Sequence, residues 1–421
     1  MLLVSPDCLS CSSSSSSSML FSGNLKLSSD LLFAKRRRTL NSLSRTQTSR
    51  RLCIASSLIT SPDSFEVGRL IGSYGFMNIT SYSSGGVDFE YSGEQLKVQD
   101  VGEGSVKIRL YEGRIAQGSL RGTPVVFKVY PGQRTGGIEA DMMAANELNA
   151  HASLQSSSKD TCQNLLMLVG GFETKTGEQW LAFRNDGKYS AADYAKFTSE
   201  KNSKSYSNKD NSWNLFEREE TFKRRRYFVI RLLRGAITGL AYMHDHDRLH
   251  QSLGPSSIVL NTIAEREAVY LVPRLRDLAF SVDIRISNLE DGLGKLSEGL
   301  WRRAIAAGAF TPMEKRAFGI ADDIYEAGLL LAYLAFVPFC EAGIMDTLSL
   351  QRLIESTFRL DFEATREYCL ADDRLEEAVK FLDLSDRAGW QLLQAMLNPD
   401  FRKRPIAEAV LNHRFMTEGV V

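Results

Sequence analysis

The chain has 421 residues, of which 43% are hydrophobic, so it can bury the core of one two-lobed domain or of two smaller domains. Its 51 basic and 51 acidic residues give a formal net charge of zero, which argues against nucleic acid as a partner. Cys162, Cys340 and Cys369 are too far apart in sequence to indicate a zinc centre. The longest apolar run, Ala327 to Phe339, is shorter than the ~20 residues of a transmembrane helix, although peripheral membrane contact stays compatible with it.

Residues 1 to 56 differ in composition from the rest of the chain. They are rich in Ser and Arg, with the runs Ser12 to Ser18 and Lys35 to Arg38, and contain only two acidic residues. This composition is typical of an organelle transit peptide, and its hydroxylated stretches favour the plastid. We therefore expect a disordered transit peptide over 1–56 and a mature protein in the chloroplast, in the stroma or on the thylakoid surface. The alternative is a basic tail that stays on the mature protein.

A stretch rich in small residues follows the basic segment. Residues 57 to 97 are rich in Gly, Ser and Tyr, and we interpret them as an N-terminal extension ahead of the main domain. The run Val101 to Ile115 then begins with Gly102 and Gly104. On its own, such a G-x-G pair indicates a hairpin turn between two strands.

A lysine lies inside the next predicted strand. Pro124 to Tyr130 contains Val and Phe residues that favour extended structure. Lys128 interrupts this apolar run, and a lysine in an apolar strand needs a counter-charge or a wet edge. The following segment has apolar residues at helical spacing and carries Glu147. We therefore expect Glu147 to pair with Lys128, with Glu139 as the alternative partner.

Two more strands and two helices are predicted before residue 245. The strands lie within Asn164 to Phe172 and Trp180 to Phe183, and Ser190 is expected to cap the helix after them. The segment 199–214 is poor in apolar residues and rich in Lys, Asn and Ser, which predicts a flexible insert. From Phe228 to His244, apolar residues recur at helical spacing and predict a core helix.

Two stretches in the second half carry a family resemblance. Leu249 to Leu260 reads L-H-Q-S-L-G-P-S-S-I-V-L, and its spacing resembles the catalytic loop of the eukaryotic protein kinases, H-R-D-L-x-x-x-N. His250 and Leu253 fall where that family has its His and Leu. Leu392 to Met416 resembles the last helices of the same family, with R-K-R-P followed by N-H-R-F. The motif D-L-A at Asp277 and the S-V-D-I-R after it are similar to the chloroplast thylakoid kinases of the state-transition type.

The resemblance covers about residues 98 to 418. It implies an α+β, bilobal protein-kinase-like fold with a small antiparallel β-rich N-lobe and a larger helical C-lobe. The expected division is a transit peptide at 1–56, an extension at 57–97, the N-lobe at 98–187 and the C-lobe at 188–418.

The resemblance also implies a site for ATP and Mg²⁺. Gly102 and Gly104 match two glycines of the family's phosphate-binding loop, although a plain hairpin turn is the alternative. Lys128 with Glu147 matches the ion pair that positions the phosphates, and Asp277 matches the aspartate that holds a metal ion. The expected structural residues are His250 of the catalytic loop, Asp323 at the start of the buried C-lobe helix, and Glu314 with Arg404, which should form a buried ion pair.

The catalytic loop lacks the polar residues that the reaction uses. Ser252 replaces the catalytic Asp, Ser257 the metal-binding Asn, Gly254 the Lys and Gln251 the Arg. A serine hydroxyl is uncharged, and general-base help is worth ~10²–10⁴-fold. Ser257 offers a metal ion one neutral oxygen, a poorer ligand than the amide carbonyl of Asn.

These substitutions predict a pseudokinase that binds ATP and acts on other proteins as a scaffold or allosteric regulator. One alternative is a slow or unconventional Ser/Thr protein kinase, in which Asp245, Asp247 or Asp283 supplies the missing carboxylate. The second alternative is an interaction module that binds no nucleotide.

Overall fold

A computed structural model describes residues 58–76, 99–100, 106–156, 162–207, 215–290 and 295–418. The expected transit peptide at 1–56 lies outside the described residues, as do Gly102 and Gly104.

The N-terminal lobe is built on one six-stranded sheet. Every pairing in it is antiparallel, and the strand order is β2-β1-β3-β4-β6-β5. One helix packs on the sheet, and the small antiparallel β-rich lobe is therefore confirmed. The elements are β1 (Phe65–Phe76), β2 (Gln99–Asp100), β3 (Val106–Ile115), β4 (Pro124–Tyr130), helix α1 (Gln133–Ser156), β5 (Leu168–Glu173) and β6 (Gln179–Arg184).

The first strand corrects the predicted lobe boundary. β1 lies inside the sheet and pairs with β3 from Phe65 opposite Ile115 to Phe76 opposite Val106. The lobe thus begins near residue 58, and the described part of 57–97 is not a separate extension. Its glycines lower the strand propensity of the segment. Pairing with β3, and the burial of Phe65 against Phe127 at 5.4 Å between ring centroids, outweigh that preference.

The C-terminal lobe is mainly helical, as expected. Its core surrounds two long helices, and the apolar run after residue 326 is buried within the second of them. The helices are α2 (Ala191–Ser207), α3 (Leu215–Asp245), α4 (Ile286–Glu290), α5 (Glu298–Ala306), α6 (Pro312–Phe336), α7 (Thr347–Gln351), α8 (Phe362–Leu370), α9 (Glu376–Leu382), α10 (Leu384–Met396), α11 (Ala407–Leu411) and α12 (Arg414–Glu418). Short strand pairs join them: β7 (Tyr189–Ser190), β8 (Arg248–Leu249), β9 (Ile258–Leu260), β10 (Arg274–Leu275) and β11 (Val282–Asp283).

Two helices differ from the sequence-based expectation. α2 continues to Ser207, so the first part of the predicted insert at 199–214 is helical, while 208–214 lies outside the described residues. α6 begins at Pro312, so Asp323 lies in the middle of that helix instead of at its start. In the described ranges, none of the helices has the length and hydropathy that a membrane span requires.

The connection between the two lobes is tightly packed. Gly187 passes so close to β9 that a Cβ there would lie 2.1 Å from the carbonyl oxygen of Leu260. Only glycine allows this approach without moving the backbone. The close contact fixes the end of the N-lobe sheet over β9, which follows the catalytic-loop residues.

Candidate functional site

Three charged residues from distant parts of the chain meet where the lobes join. The Lys128 Nζ lies 2.7 Å from Glu147 Oε2 and 2.8 Å from Asp277 Oδ1. All three side chains are buried, with exposures of 3% or less. The predicted ion pair between Lys128 and Glu147 is therefore present, and Glu139 is exposed.

Each member of this charged trio is fixed by its own element. Lys128 is at the centre of β4, between Leu110 of β3 and Leu181 of β6. Glu147 lies midway along α1, where the neighbouring Asn146 donates hydrogen bonds of 2.8 Å to the carbonyls of Ala279 and Ser281. These bonds hold the helix against the segment that follows Asp277.

The electrostatics of the trio favour its fully charged state. Burial opposes the charge on Lys128, but the carboxylates of Asp277 and Glu147 outweigh it and hold the pKa of Lys128 well above its ordinary value. Burial likewise opposes the charge of Asp277, yet Lys128 and Arg276 hold the pKa of this carboxyl below its usual range. The site is thus a compact, compensated cluster of charges at neutral pH.

Two tyrosines donate hydrogen bonds to the carboxylates of the trio. The Tyr74 hydroxyl donates a 2.7 Å hydrogen bond to Asp277 Oδ1, and its ring lies 5.6 Å from Lys128 Nζ. Burial, followed by the charge of Asp277, raises the pKa of Tyr74. The Tyr130 hydroxyl donates to Glu147 Oε2.

Sequence reasoning missed both tyrosines. The i, i+2 spacing of Lys128 and Tyr130 on one strand put them on the same face of the sheet, and that signal was available. The position of Tyr74 had no such signal, because it depends on how β1 pairs with β3.

The catalytic-loop residues are held by a buried aspartate. Asp323 accepts hydrogen bonds from the backbone N–H of His250 at 2.8 Å and of Gln251 at 2.9 Å, and contacts His244 Nε2 at 3.0 Å. Burial opposes its charge, but His244 and the loop amides hold the pKa of Asp323 below its usual value. Asp323 and His250 are both 0% exposed, so they serve the architecture of the loop.

Ser252 and Ser257 of this loop form hydrogen bonds with the backbone. Ser252 Oγ donates 2.8 Å to the carbonyl of Asp277 and lies 3.4 Å from His250 Nδ1. Ser257 Oγ donates to the carbonyl of Gly254 at 2.8 Å and accepts from its N–H at 2.9 Å. The structure thus brings Ser252 next to Asp277, whereas Ser257 closes a local turn, and its role as a metal ligand stays a prediction.

The three carboxylates considered as substitutes for the catalytic Asp lie in other surroundings. Asp247 forms an ion pair with Arg316. Asp283 is on β11 and forms hydrogen bonds of 3.0 and 3.1 Å with the Arg285 guanidinium. Asp245 is exposed at the last position of α3.

The predicted buried ion pair between Glu314 and Arg404 is wrong. Glu314 is half-buried and accepts hydrogen bonds from Phe310 and Thr311, which closes a capping box at the start of α6. Arg404 donates to the carbonyl of Ala321 instead. Because α6 is continuous and rises 1.5 Å per residue, Glu314 lies ~10 Å along the axis from the turn that Arg404 contacts.

The residue types suit a nucleotide–metal site, but their arrangement does not. Mg²⁺ with ATP would need Asp277 as a metal ligand and Lys128 as a phosphate partner. Asp277 Oδ1 already accepts from Lys128 and Tyr74, and Oδ2 lies 3.3 Å from Arg276. Mg²⁺–ATP therefore does not fit the site in this arrangement.

Comparisons with known proteins support the fold. No family model and no curated protein matches the sequence. Among solved structures, the chain is similar to the crystal structure of a Stt7 homolog from Micromonas algae soaked with ATP, with a TM-score of 0.52 and 17% sequence identity. The match covers 90% of this chain and 98% of that chain. At this identity the likeness establishes the fold alone, and that fold is bilobal and protein-kinase-like.

Proposed function

We propose that this protein is a chloroplast pseudokinase, which acts on other proteins as a scaffold or allosteric regulator and not by phosphoryl transfer. The hydrogen bond of the Ser252 hydroxyl is the observation that supports this proposal most directly. This hydroxyl stands where the resemblance places the catalytic Asp, and it donates a hydrogen bond to the carbonyl of Asp277. A neutral hydroxyl in this bond is a poor acceptor for a substrate proton, and the loss of general-base help lowers the rate by ~10²–10⁴-fold.

ATP is the proposed ligand of the cleft between the lobes. Lys128, held by Glu147, would contact its phosphates, and Asp277 would contact its metal ion. The similar crystal structure was soaked with ATP, which supports the same ligand class for this chain. In this proposal ATP is an effector that favours one arrangement of the lobes.

The contact of Tyr74 with Asp277 favours a second candidate, an interaction module that binds no nucleotide. The alternative of a slow kinase has less support, because Asp247 and Asp283 form ion pairs with arginines. Chloroplast location rests on the Ser- and Arg-rich composition of residues 1–56. It is tested by fusing those residues to a fluorescent protein and observing import.

A transfer assay tests the absence of catalysis. The full chain is incubated with γ-labelled ATP, Mg²⁺ and a generic protein acceptor, in parallel with the variants Asp277→Ala and Asp283→Ala. We expect the wild-type protein to transfer no more label than Asp277→Ala, since no carboxylate stands at position 252. Transfer by the wild type that Asp277→Ala abolishes would contradict the pseudokinase proposal. If the wild type transfers label and Asp283→Ala also lacks that transfer, Asp283 is the substitute carboxylate.

A further inference from the structure

We infer that Tyr74 is a built-in plug of the nucleotide cleft, and that Mg²⁺–ATP binds only after the end of β1 has moved. This inference deepens the nucleotide part of the proposed function and rests on it. The Tyr74 hydroxyl is hydrogen-bonded to the carboxylate of Asp277, which a metal ion would need as a ligand. The N-lobe strand therefore controls access to a site formed by β4, α1 and the C-lobe.

One oxygen of Asp277 accepts hydrogen bonds from both Tyr74 and Lys128. The phenol donates to Oδ1 at 2.7 Å, the same oxygen that accepts from Lys128 at 2.8 Å. A hydrogen bond to a buried carboxylate is stronger than one between neutral groups. A hard cation at Oδ1 would have to replace both donors, so Tyr74 and Mg²⁺ compete for one oxygen.

The ring adds a second contact with the same cluster. Lys128 Nζ lies 5.6 Å from the centroid of the Tyr74 ring, within cation–π range. The side chain thus contacts both groups on which nucleotide binding would depend, the cation through its face and the carboxylate through its hydroxyl. Burial and the charge of Asp277 raise its pKa, so the phenol stays protonated and remains a donor.

The strand that carries Tyr74 has a place where it can bend. Tyr74 pairs with Ile108 of β3 and Gly75 with Lys107, which holds the ring in position. Before it, the register shifts twice between Val67 and Gly72. Such irregularities interrupt the regular ladder and bend a strand locally. The segment from Ser73 to Phe76 lies beyond this interruption and pairs with β3 and, at Gly75 and Phe76, with β2, so leaving the cleft requires these pairs to open while the part of β1 before Val67 stays paired.

A plug and a purely structural tyrosine predict opposite results on ligand binding. If Tyr74 only stabilised the fold, its removal would lower stability and leave nucleotide affinity unchanged or weaker. If it blocks the site, removal of the hydroxyl raises the fraction of molecules with an open site. Affinity then rises by the same factor, about 10- to 100-fold for the loss of one hydrogen bond to a charged group.

The test measures ATP affinity of the full chain by calorimetry, with and without Mg²⁺. The variants are Tyr74→Phe, which keeps the ring, and Tyr74→Ala, which removes it. Tyr111→Phe is the matched control, because Tyr111 is half-buried on β3, stacks on Trp180 at 5.1 Å and accepts a 3.3 Å hydrogen bond from Arg109. We expect tighter, Mg²⁺-dependent binding in both Tyr74 variants and wild-type behaviour in the control.

Equal affinity in the wild type and both Tyr74 variants overturns the plug, and so does an absence of binding in all of them. Neither result depends on phosphoryl transfer, so the pseudokinase proposal is judged separately by the transfer assay. Hydrogen exchange gives a second readout. If Tyr74 blocks the site, peptides covering residues 73–76 lose protection from hydrogen exchange when the Tyr74→Phe variant binds Mg²⁺–ATP, while peptides of β4 keep their protection. Unchanged exchange at 73–76 on binding would also overturn the inference.

Discussion

At the scale of single residues, the buried trio has a structural role besides any role in binding. Lys128 forms contacts shorter than 3 Å with two carboxylates from different lobes. Buried ion pairs add little net stability compared with apolar residues, because the desolvation cost offsets their attraction. Removing one partner is different, since it leaves a buried charge without its main counter-charge.

The variant Lys128→Met tests this role. It leaves Glu147 and Asp277 buried without their shared cation, so we expect the free energy of unfolding to fall by about 3–5 kcal/mol. Urea denaturation of the full chain measures it. Lys107→Met is the matched control, because Lys107 is exposed on β3, and its effect should stay within about 0.5 kcal/mol. A loss below about 1 kcal/mol in Lys128→Met would show that the trio is not a compensated unit.

At the scale of elements, α6 overturns two predictions: the ion pair of Glu314 with Arg404, and the position of Asp323 at the start of a helix. The helix is capped at Thr311, where Glu314 completes a reciprocal pair of hydrogen bonds. Its middle carries Asp323, which holds the backbone of the altered catalytic loop. One continuous helix therefore carries both Glu314, in the capping box, and Asp323, which holds the loop, and the capping box replaces the expected ion pair with Arg404.

A double-mutant cycle tests that correction. We expect the losses of stability in Glu314→Ala and Arg404→Met to add within ~0.5 kcal/mol, because the two side chains contact different groups. The pair Glu314→Ala with Thr311→Ala serves as the positive control, since these residues share hydrogen bonds. Chemical denaturation provides the values. Coupling of Glu314 with Arg404 above about 1 kcal/mol would restore the ion pair.

At the scale of the whole molecule, buried histidines lie close to the junction of the lobes. His151 of α1 packs edge-on against Phe183 at 5.0 Å, and its Nε2 has no hydrogen-bond partner among the described residues. Burial lowers its pKa from 6.5 to about 3, with a smaller effect from Lys128. Burial lowers the pKa of His250 as well. Both rings are neutral in the folded protein.

The stability of the whole protein should therefore depend on pH below neutrality. The folded pKa of His151 lies below the unfolded one, so acid favours the unfolded state once the pH falls under 6.5. At pH 5 the loss from His151 is about 2 kcal/mol relative to pH 7. The lowered pKa of His250 adds to the loss in the same direction.

Unfolding midpoints measured between pH 7 and pH 5 test this prediction. His151→Leu should have a shallower slope than the wild type, because the neutral-to-charged transition of that ring is gone. His246→Leu is the control, since its ring is partly exposed and contacts the carbonyl of Tyr242. Equal slopes in the wild type and His151→Leu would show that His151 is protonated without cost in the folded state.

The sequence by itself determined what depends on local pattern. The N-lobe strands from β3 onward, the core helix before the loop and the pairing of Lys128 with Glu147 follow from periodicity, motif spacing and the need of a buried lysine for a counter-charge. The serine at position 252 is read directly from the sequence. Only the tertiary structure showed that β1 belongs to the N-lobe sheet and that Tyr74 donates a hydrogen bond to Asp277. Tyr74 and Asp277 are 203 residues apart, and their contact depends on the register of β1 with β3 and on the packing of the two lobes. Contacts of that kind depend on long-range geometry, which the spacing of residues along the chain does not encode. In the inference above, this contact determines whether the nucleotide site is open or closed.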